Sequence, residues 1–191
     1  MSHEHLAEHG NEHGGHKKIA IFIAVLAALL ALAETGGKSA QTAALFHNID
    51  ATNLWQFFQA KTIRRTALQV GRSMLEYGGN ENLPANIVEG RRKQLEQWRE
   101  DIRRYESEPD TQEGRQELMK RAKAQETLRD RSMAAYHLYE LSSAAFQIAI
   151  VLASATIITG AIWLVYVGGA LSAIGVVLGA IAWIAPTAIH F

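Results

Sequence analysis

The hydrophobic and polar positions of this chain are sorted into long blocks. Residues 19–33 are uninterruptedly apolar, residues 61–140 are dense in charges of both signs, and residues 141–191 contain no Asp, Glu, Lys or Arg. Water-soluble domains mix these residue types along each element, whereas membrane proteins separate them. The pattern therefore predicts membrane-spanning helices at both ends of the chain and a charged segment between them.

The first apolar block has two interpretations. Fifteen helical residues reach only about 22 Å, short of a hydrocarbon core of about 30 Å. A cleaved signal peptide has a core this short, but the stretch before Lys17 and Lys18 is unusually long and acidic for one. Extending the helix to Lys38 gives full membrane thickness, so we predict a span over residues 19–38. Glu34 then lies at the far interface, where its side chain can reach water, or it is a functional intramembrane carboxylate.

The middle segment, residues 39–140, has helical periodicity with two interruptions. Apolar residues recur every three to four positions up to "GGNENLP" at 78–84, a stretch whose residues end one helix and begin the next. The following helix carries apolar residues at spacings typical of a short coiled-coil seam: Leu95, Trp98, Ile102 and Tyr105. Pro109 breaks that arm, and a new helix follows. We predict an antiparallel helical hairpin domain over residues 39–140.

The charge-free C-terminal region is long enough to cross a membrane twice. We predict spans over residues 141–167 and 170–189, joined by a short turn at Gly168-Gly169. Helices are expected because backbone groups in hydrocarbon must hydrogen-bond within their own segment. The predicted fold class is all-α: an integral membrane protein with three transmembrane helices and a long, coiled-coil-like antiparallel hairpin outside the bilayer.

The polar N-terminal tail, residues 1–18, is predicted to be disordered in isolation because it is glycine-rich, charged and poor in apolar residues. It contains five histidines, which are His3, His5, His9, His13 and His16. Imidazole binds Zn, Ni, Cu and Co, so the tail is a candidate weak site for a divalent metal. The alternatives are a solvated tail, or one whose titration near neutral pH senses acidity or membrane charge.

Composition and motifs narrow the function classes. A net charge of zero gives no reason to expect nucleic-acid binding, and the absence of Cys excludes disulfides and thiolate chemistry. We find no phosphate loop, dinucleotide fingerprint, zinc-protease motif or serine-nucleophile elbow, so we expect neither an enzyme nor a bound cofactor. Basic residues flank both ends of the hairpin, which favours a cytoplasmic hairpin.

Residues 51–66, "ATNLWQFFQAKTIRRT", resemble the bacterial membrane family catalogued as domain of unknown function 4337. The shared motif is Trp-x-aromatic-aromatic-Gln-Ala-Lys, here Trp55 to Lys61, with Phe57-Phe58 where Tyr is expected. The tail, the Ala/Leu-rich first span and the two closely spaced C-terminal spans fit the same layout. The resemblance implies a multi-pass protein of the bacterial inner membrane and implies no activity.

The motif itself has two readings. On a helix, Trp55, Phe58 and Gln59 share one face while Lys61 points elsewhere. This aromatic periodicity is typical of a packing stripe inside the hairpin or between protomers. The alternative is an interaction groove in which Gln59 makes the polar contact.

Small residues in the spans recur at close-packing intervals, as at Gly175 and Gly179, and let helices approach closely. We predict a non-enzymatic, homo-oligomeric structural or interaction protein in contact with membrane lipid, its protein partner unidentified. The alternative is a small ion or metal channel or transporter, or its accessory subunit, with Glu34, Gln41 and Gln147 near the pathway. The scarcity of polar residues in the last two spans favours the first hypothesis.

Overall fold

The computed structural model describes the backbone of residues 4–79, 81 and 83–188, and the side chains of these ranges from Lys17 onward. Over these residues the chain forms four α-helices and no strand, which confirms the predicted all-α class. They are α1 (Glu4–Tyr77), α2 (Ala85–Glu106), α3 (Arg115–Thr159) and α4 (Trp163–Ile184), followed by a 3-10 turn at Pro186–Ala188.

Three of these helices are long and apolar enough to cross a membrane: α1, within Lys17–Tyr77, and all of α3 and α4. This is the number predicted from the apolar blocks. The turn predicted at 78–84 is also confirmed, because α1 ends at Tyr77 and α2 begins at Ala85. Gly79 there has a φ of 59°, a left-handed conformation that glycine adopts without strain.

The turn before α4 lies earlier than predicted, because α3 ends at Thr159 and α4 begins at Trp163. The predicted turn at Gly168-Gly169 is therefore wrong. Gly160 takes a φ of 73°, and its N–H donates to the carbonyl of Thr156 at 2.9 Å. Gly168 instead lies buried inside α4, where an added Cβ would be 3.1 Å from the carbonyl oxygen of Ala149. The Gly168-Gly169 pair therefore belongs to a helix, and at Gly168 the missing side chain permits close packing.

The chain divides into two compact units. Unit 1 comprises Met1–Leu45 and Asp130–Phe191, and unit 2 comprises Phe46–Arg129. Helices α1 and α3 contribute residues to both units, α2 belongs to unit 2, and α4 belongs to unit 1. The predicted hairpin domain, residues 39–140, contains the whole of unit 2.

Unit 1 has a small apolar core of Leu26, Ala33, Phe146 and Ala149. Glycine lets its helices approach: an added Cβ on Gly36 would be 2.8 Å from the ring of Tyr139. The Ser142 hydroxyl donates to the backbone carbonyl of Gly175 at 2.7 Å, joining α3 to α4. The buried Ser142 hydroxyl between α3 and α4 is thus hydrogen-bonded, as burial in an apolar environment requires.

The small residues of α4 serve this packing directly. An added Cβ on Gly175 would be 3.0 Å from the Phe146 ring, and one on Gly179 would be 3.3 Å from the Ser142 hydroxyl. The predicted close-packing interval is therefore used between α4 and α3 of one chain. On α1, Ala24 and Ala28 are exposed, whereas Ala33 is buried in the core of unit 1.

Candidate functional site

The family-like motif lies on the part of α1 that belongs to unit 2, facing α3 and the loop 107–114. The indole N–H of Trp55 donates to the Glu126 carboxylate on α3 at 2.9 Å. The Trp55 and Phe58 rings meet edge to face with centroids 5.4 Å apart, a favourable arrangement for aromatic quadrupoles. Trp55 therefore joins α1 to α3 through its polar edge and supports Phe58 with its ring.

Arg115, the first residue of α3, covers the other aromatic face. Its guanidinium carbon lies 4.8 Å from the Phe58 ring centroid, and its Nε donates to the Thr62 hydroxyl at 2.9 Å. Its Nη1 forms an ion pair of 2.6 Å with Glu106, the last residue of α2. One planar cation thus contacts an aromatic ring, a hydroxyl and a carboxylate on two other helices, a geometry that lysine cannot reproduce.

Lys61 occupies a cage, which we define as Phe57, Tyr105, Glu108 and Glu113. The residue is 7% exposed, and its Nζ lies 5.3 Å from the Phe57 centroid and 5.4 Å from that of Tyr105. Carboxylate oxygens of Glu108 and Glu113 lie 4.0 and 3.7 Å from the same nitrogen. A lysine is rarely this buried unless its charge is compensated, and the cage supplies both carboxylates and aromatic faces.

The loop that completes the cage is held by Glu117 on α3. Its carboxylate accepts hydrogen bonds from the Ser107 hydroxyl at 2.6 Å and from the backbone N–H of Glu108 at 3.1 Å. The Ser107 hydrogen bond is the main reason that the pKa of Glu117 is lowered. Gly114 permits the fold of this loop, because an added Cβ would overlap the Glu117 carboxylate and the Glu108 backbone nitrogen.

The Glu108 carboxylate of the cage is favoured in its charged form. The Arg104 guanidinium hydrogen-bonds Glu108 at 2.9 Å and is the first cause of the lowered pKa of that carboxyl group, to which Lys61 also contributes. Salt bridges and hydrogen bonds stabilise the ionised carboxylate and therefore lower its pKa. The arrangement therefore stabilises the charges that hold the loop 107–114 against α1 and α3.

The predicted site residues fall into separate places. Trp55 and Phe58 contact each other, whereas Lys61 occupies its own cage within the same unit 2. The Gln59 side chain is exposed. Glu34 belongs to unit 1 and is also exposed. The side chains of His3, His5, His9, His13 and His16 lie outside the described residues, so the metal prediction stays a prediction. Between Lys17 and Ala188, the described residues contain no group of three or more His, Asp or Glu side chains able to hold a metal ion.

Sequence reasoning missed the partners of the motif. These partners are Arg115, Glu126, Tyr105, Glu108 and Glu113. The charge of the motif offered one clue to its partners. A cationic and aromatic motif on α1 needs acidic side chains or further aromatic rings opposite it when it is buried. Many acidic residues in 61–140 met that description, so the pattern could not choose among them.

An open groove of about 770 Å³ also lies within unit 1. Apolar side chains from α1, α3 and α4 line most of it, including Leu29, Leu32, Phe146, Val176 and Trp183. Its few polar groups are Thr35, Ser39, Ser142 and the Tyr139 hydroxyl. It is an apolar feature of helices that are suited to a membrane.

These features define a class: an α-helical protein with three helices suited to membrane crossing and a charged helical unit. Within that unit, an aromatic and cationic motif holds the helices together. The sequence model of the family described as domain of unknown function (DUF4337) matches residues 15–185. The chain therefore belongs to that family, and the predicted resemblance is confirmed. No curated protein and no solved structure matches the chain.

Proposed function

We propose that this protein is a non-enzymatic, homo-oligomeric structural or interaction protein of the bacterial inner membrane, with unit 2 on the cytoplasmic side. Its three apolar helices anchor it in lipid. The helical unit then acts as a scaffold that contacts other protein surfaces.

The observation that carries the proposal is the internal pairing of the motif. Binding and catalytic sites present their polar groups to a cavity, where a ligand completes their hydrogen bonds. Here the Trp55 N–H, the Arg115 guanidinium and the Lys61 ammonium all have partners inside unit 2. The most distinctive residues of the chain therefore build a helical unit, which is the role expected of a scaffold.

Membrane anchoring is supported by the surface of unit 1. Large apolar side chains are exposed there, among them Ile158 at 86% and Trp183 at 80%. A soluble monomer rarely leaves so many such residues uncovered, whereas lipid or neighbouring helices cover them in a membrane. The proposed cytoplasmic placement of unit 2 is supported by the Lys and Arg residues at the ends of its segment, because basic residues are enriched on the cytoplasmic side of membrane proteins.

The channel or transporter hypothesis receives no comparable support. Glu34, Gln41 and Gln147 all have exposed side chains. The buried polar residues of unit 1, within the described range, are Ser142, Ser143 and Thr156, and their hydroxyls donate to backbone carbonyls. The interior of one copy is thus apolar, so we do not propose a polar pathway through it.

Two measurements test the proposal. The mass of the full chain, extracted with its lipid into polymer-bounded nanodiscs, should correspond to two or more copies. A monomeric mass would contradict the oligomeric role. Since the chain has no Cys, a single Lys93→Cys variant reports orientation through an impermeant maleimide. We expect labelling in inside-out vesicles and none in intact spheroplasts, and the opposite result would place unit 2 outside the cell.

A further inference from the structure

One face of α1 in unit 2 is exposed and uncharged along its length. Residues at intervals of seven are Ile49, Gln56, Ile63, Val70 and Tyr77, and between them lie Thr52, Gln59, Thr66 and Ser73. We call these residues the heptad stripe. All of them are exposed, Ile63 at 70% and Tyr77 at 91%. Residues at intervals of seven lie on nearly the same face of a helix, so the apolar members of the stripe can all face one neighbouring helix.

Elsewhere in unit 2, many charged side chains form ion pairs. Three of the four cations of α1 in unit 2 are paired: Lys61 lies in its cage, Arg65 pairs with Glu106 at 3.1 Å, and Arg72 pairs with Glu76 at 3.4 Å. The fourth, Arg64, is exposed and lies outside the heptad stripe. The exposed surface of α2 is dense in charges that pair with each other, such as Arg92 with Glu89. An uncharged stripe with apolar residues on a unit that is dense in charge indicates a contact surface.

We propose that the heptad stripe is where copies of this chain meet, parallel and in register along α1. This inference rests on the proposed homo-oligomer and names its interface. In a parallel, in-register contact each residue faces its own counterpart, so any charge on the stripe would oppose an identical charge. A stripe without charge from Ile49 to Tyr77 satisfies that condition, whereas a charged partner would favour a complementary charge here.

The direction of the contact follows from the chain itself. In every copy α1 also contains the apolar segment 19–33, so copies inserted in one membrane run in the same direction. Branched residues Ile49, Ile63 and Val70 occupy three of the five positions spaced by seven, and β-branched residues suit one of the two core positions of a parallel coiled coil. Gln56 and Gln59 add amides that can hydrogen-bond their counterparts, as single polar residues do when they set the register.

The size of the surface explains why a shared membrane matters. The stripe is about 42 Å long, and a contact strip roughly 10 Å wide buries on the order of 400 Å² on each copy. Stable complexes in solution bury about 800 Å² on each partner, so the stripe alone is a modest interface. Copies held in the same membrane already meet at high effective concentration and in one orientation, which a modest interface can exploit.

Cysteine scanning tests the proposal on the full chain in membranes, since the natural sequence has no Cys. We expect a short bis-maleimide to link two copies of Ile63→Cys and of Val70→Cys. The matched control is Arg64→Cys, which is exposed but one residue around the helix. Because that position is turned about 100° away from the contact, its yield should be about tenfold lower.

A second variant tests the contact while circular dichroism checks that the helices are still folded. Ile63→Lys should abolish the Val70→Cys link, because like charges then face each other, while far-UV circular dichroism stays unchanged. The control Ile87→Lys places the same substitution at an Ile of α2 that is 45% exposed, and it should leave the link intact.

The outcomes separate the two proposals. A monomeric mass in nanodiscs would remove both of them. An oligomeric mass with equal yields at Ile63→Cys and Arg64→Cys, or a link from Ile63→Cys to a different protein, would overturn the stripe alone. Ready linking at Ile63→Cys and Val70→Cys that Ile63→Lys abolishes supports it.

Discussion

The cage around Lys61 predicts a specific loss of stability when its charge is removed. Lys61→Met keeps a flexible apolar stem between the Phe57 and Tyr105 rings and deletes the ammonium group. The variant therefore loses two ion pairs, of 3.7 and 4.0 Å, and two cation–aromatic contacts. The stem contacts remain, so packing loss should be small compared with an alanine substitution.

The magnitude follows from the exposure of the partners. Breaking a fully buried pair costs about 3–5 kcal/mol, because it leaves an uncompensated charge behind. Here the side chain of Glu113 is 50% exposed and Glu108 keeps its hydrogen bond to Arg104, so neither carboxylate is stranded. Two cation–aromatic contacts contribute about 0.5–1 kcal/mol each when partly hydrated. We expect Lys61→Met to lower the unfolding free energy of unit 2 by about 2 kcal/mol.

The assay is urea unfolding of the full chain in detergent micelles, followed by tryptophan fluorescence and far-UV circular dichroism. Lys93→Met is the matched control, because Lys93 is exposed and its pair with Glu89 spans one helical turn. That substitution should change the unfolding free energy by less than about 0.5 kcal/mol. Equal effects of the two substitutions would refute the cage as a structural element of unit 2.

Three further variants probe other contacts. Gly114→Ala should destabilise unit 2 by more than about 2 kcal/mol in the urea assay, because the added Cβ has no space. Its control Gly90→Ala, whose Cβ would have no atom within contact distance, should stabilise unit 2 by about 0.5–1 kcal/mol. Similar effects of the two substitutions would contradict the loop geometry. The lowered pKa of Glu117 means that its contribution is present at neutral pH and is lost as pH falls through that lowered value. Glu117→Gln should therefore flatten the acid side of the stability profile of unit 2, and an unchanged profile would refute this role. Gly175→Ala should lower the melting temperature of the nanodisc-embedded protein by crowding a phenylalanine ring of α3, while Gly169→Ala, with no atom near its Cβ, should not; matched temperatures would rule out close packing there.

Much of the fold could be predicted because its causes are local. An apolar block long enough to span lipid forms a helix whatever its neighbours are, since its backbone has no other hydrogen-bond partner there. The turn at 78–84 and the break near Pro109 depend on glycine and proline, whose backbone preferences act within a few residues. The motif beginning at Trp55 was sufficient to indicate the family.

The sequence by itself determined the helical class, the number of helices suited to a membrane and the segregation of charge. Only the tertiary structure decided which carboxylates meet Lys61, that Trp55 pairs with Glu126, and that Gly160 rather than Gly168 ends a helix. Gly160 and the Gly168-Gly169 pair are equally good turn signals in the sequence. Only the packing of Gly168 against α3 shows that it lies inside a helix. Long-range partners are chosen in the same way, because many acidic residues satisfy the local pattern and only the folded helices bring particular ones within contact distance.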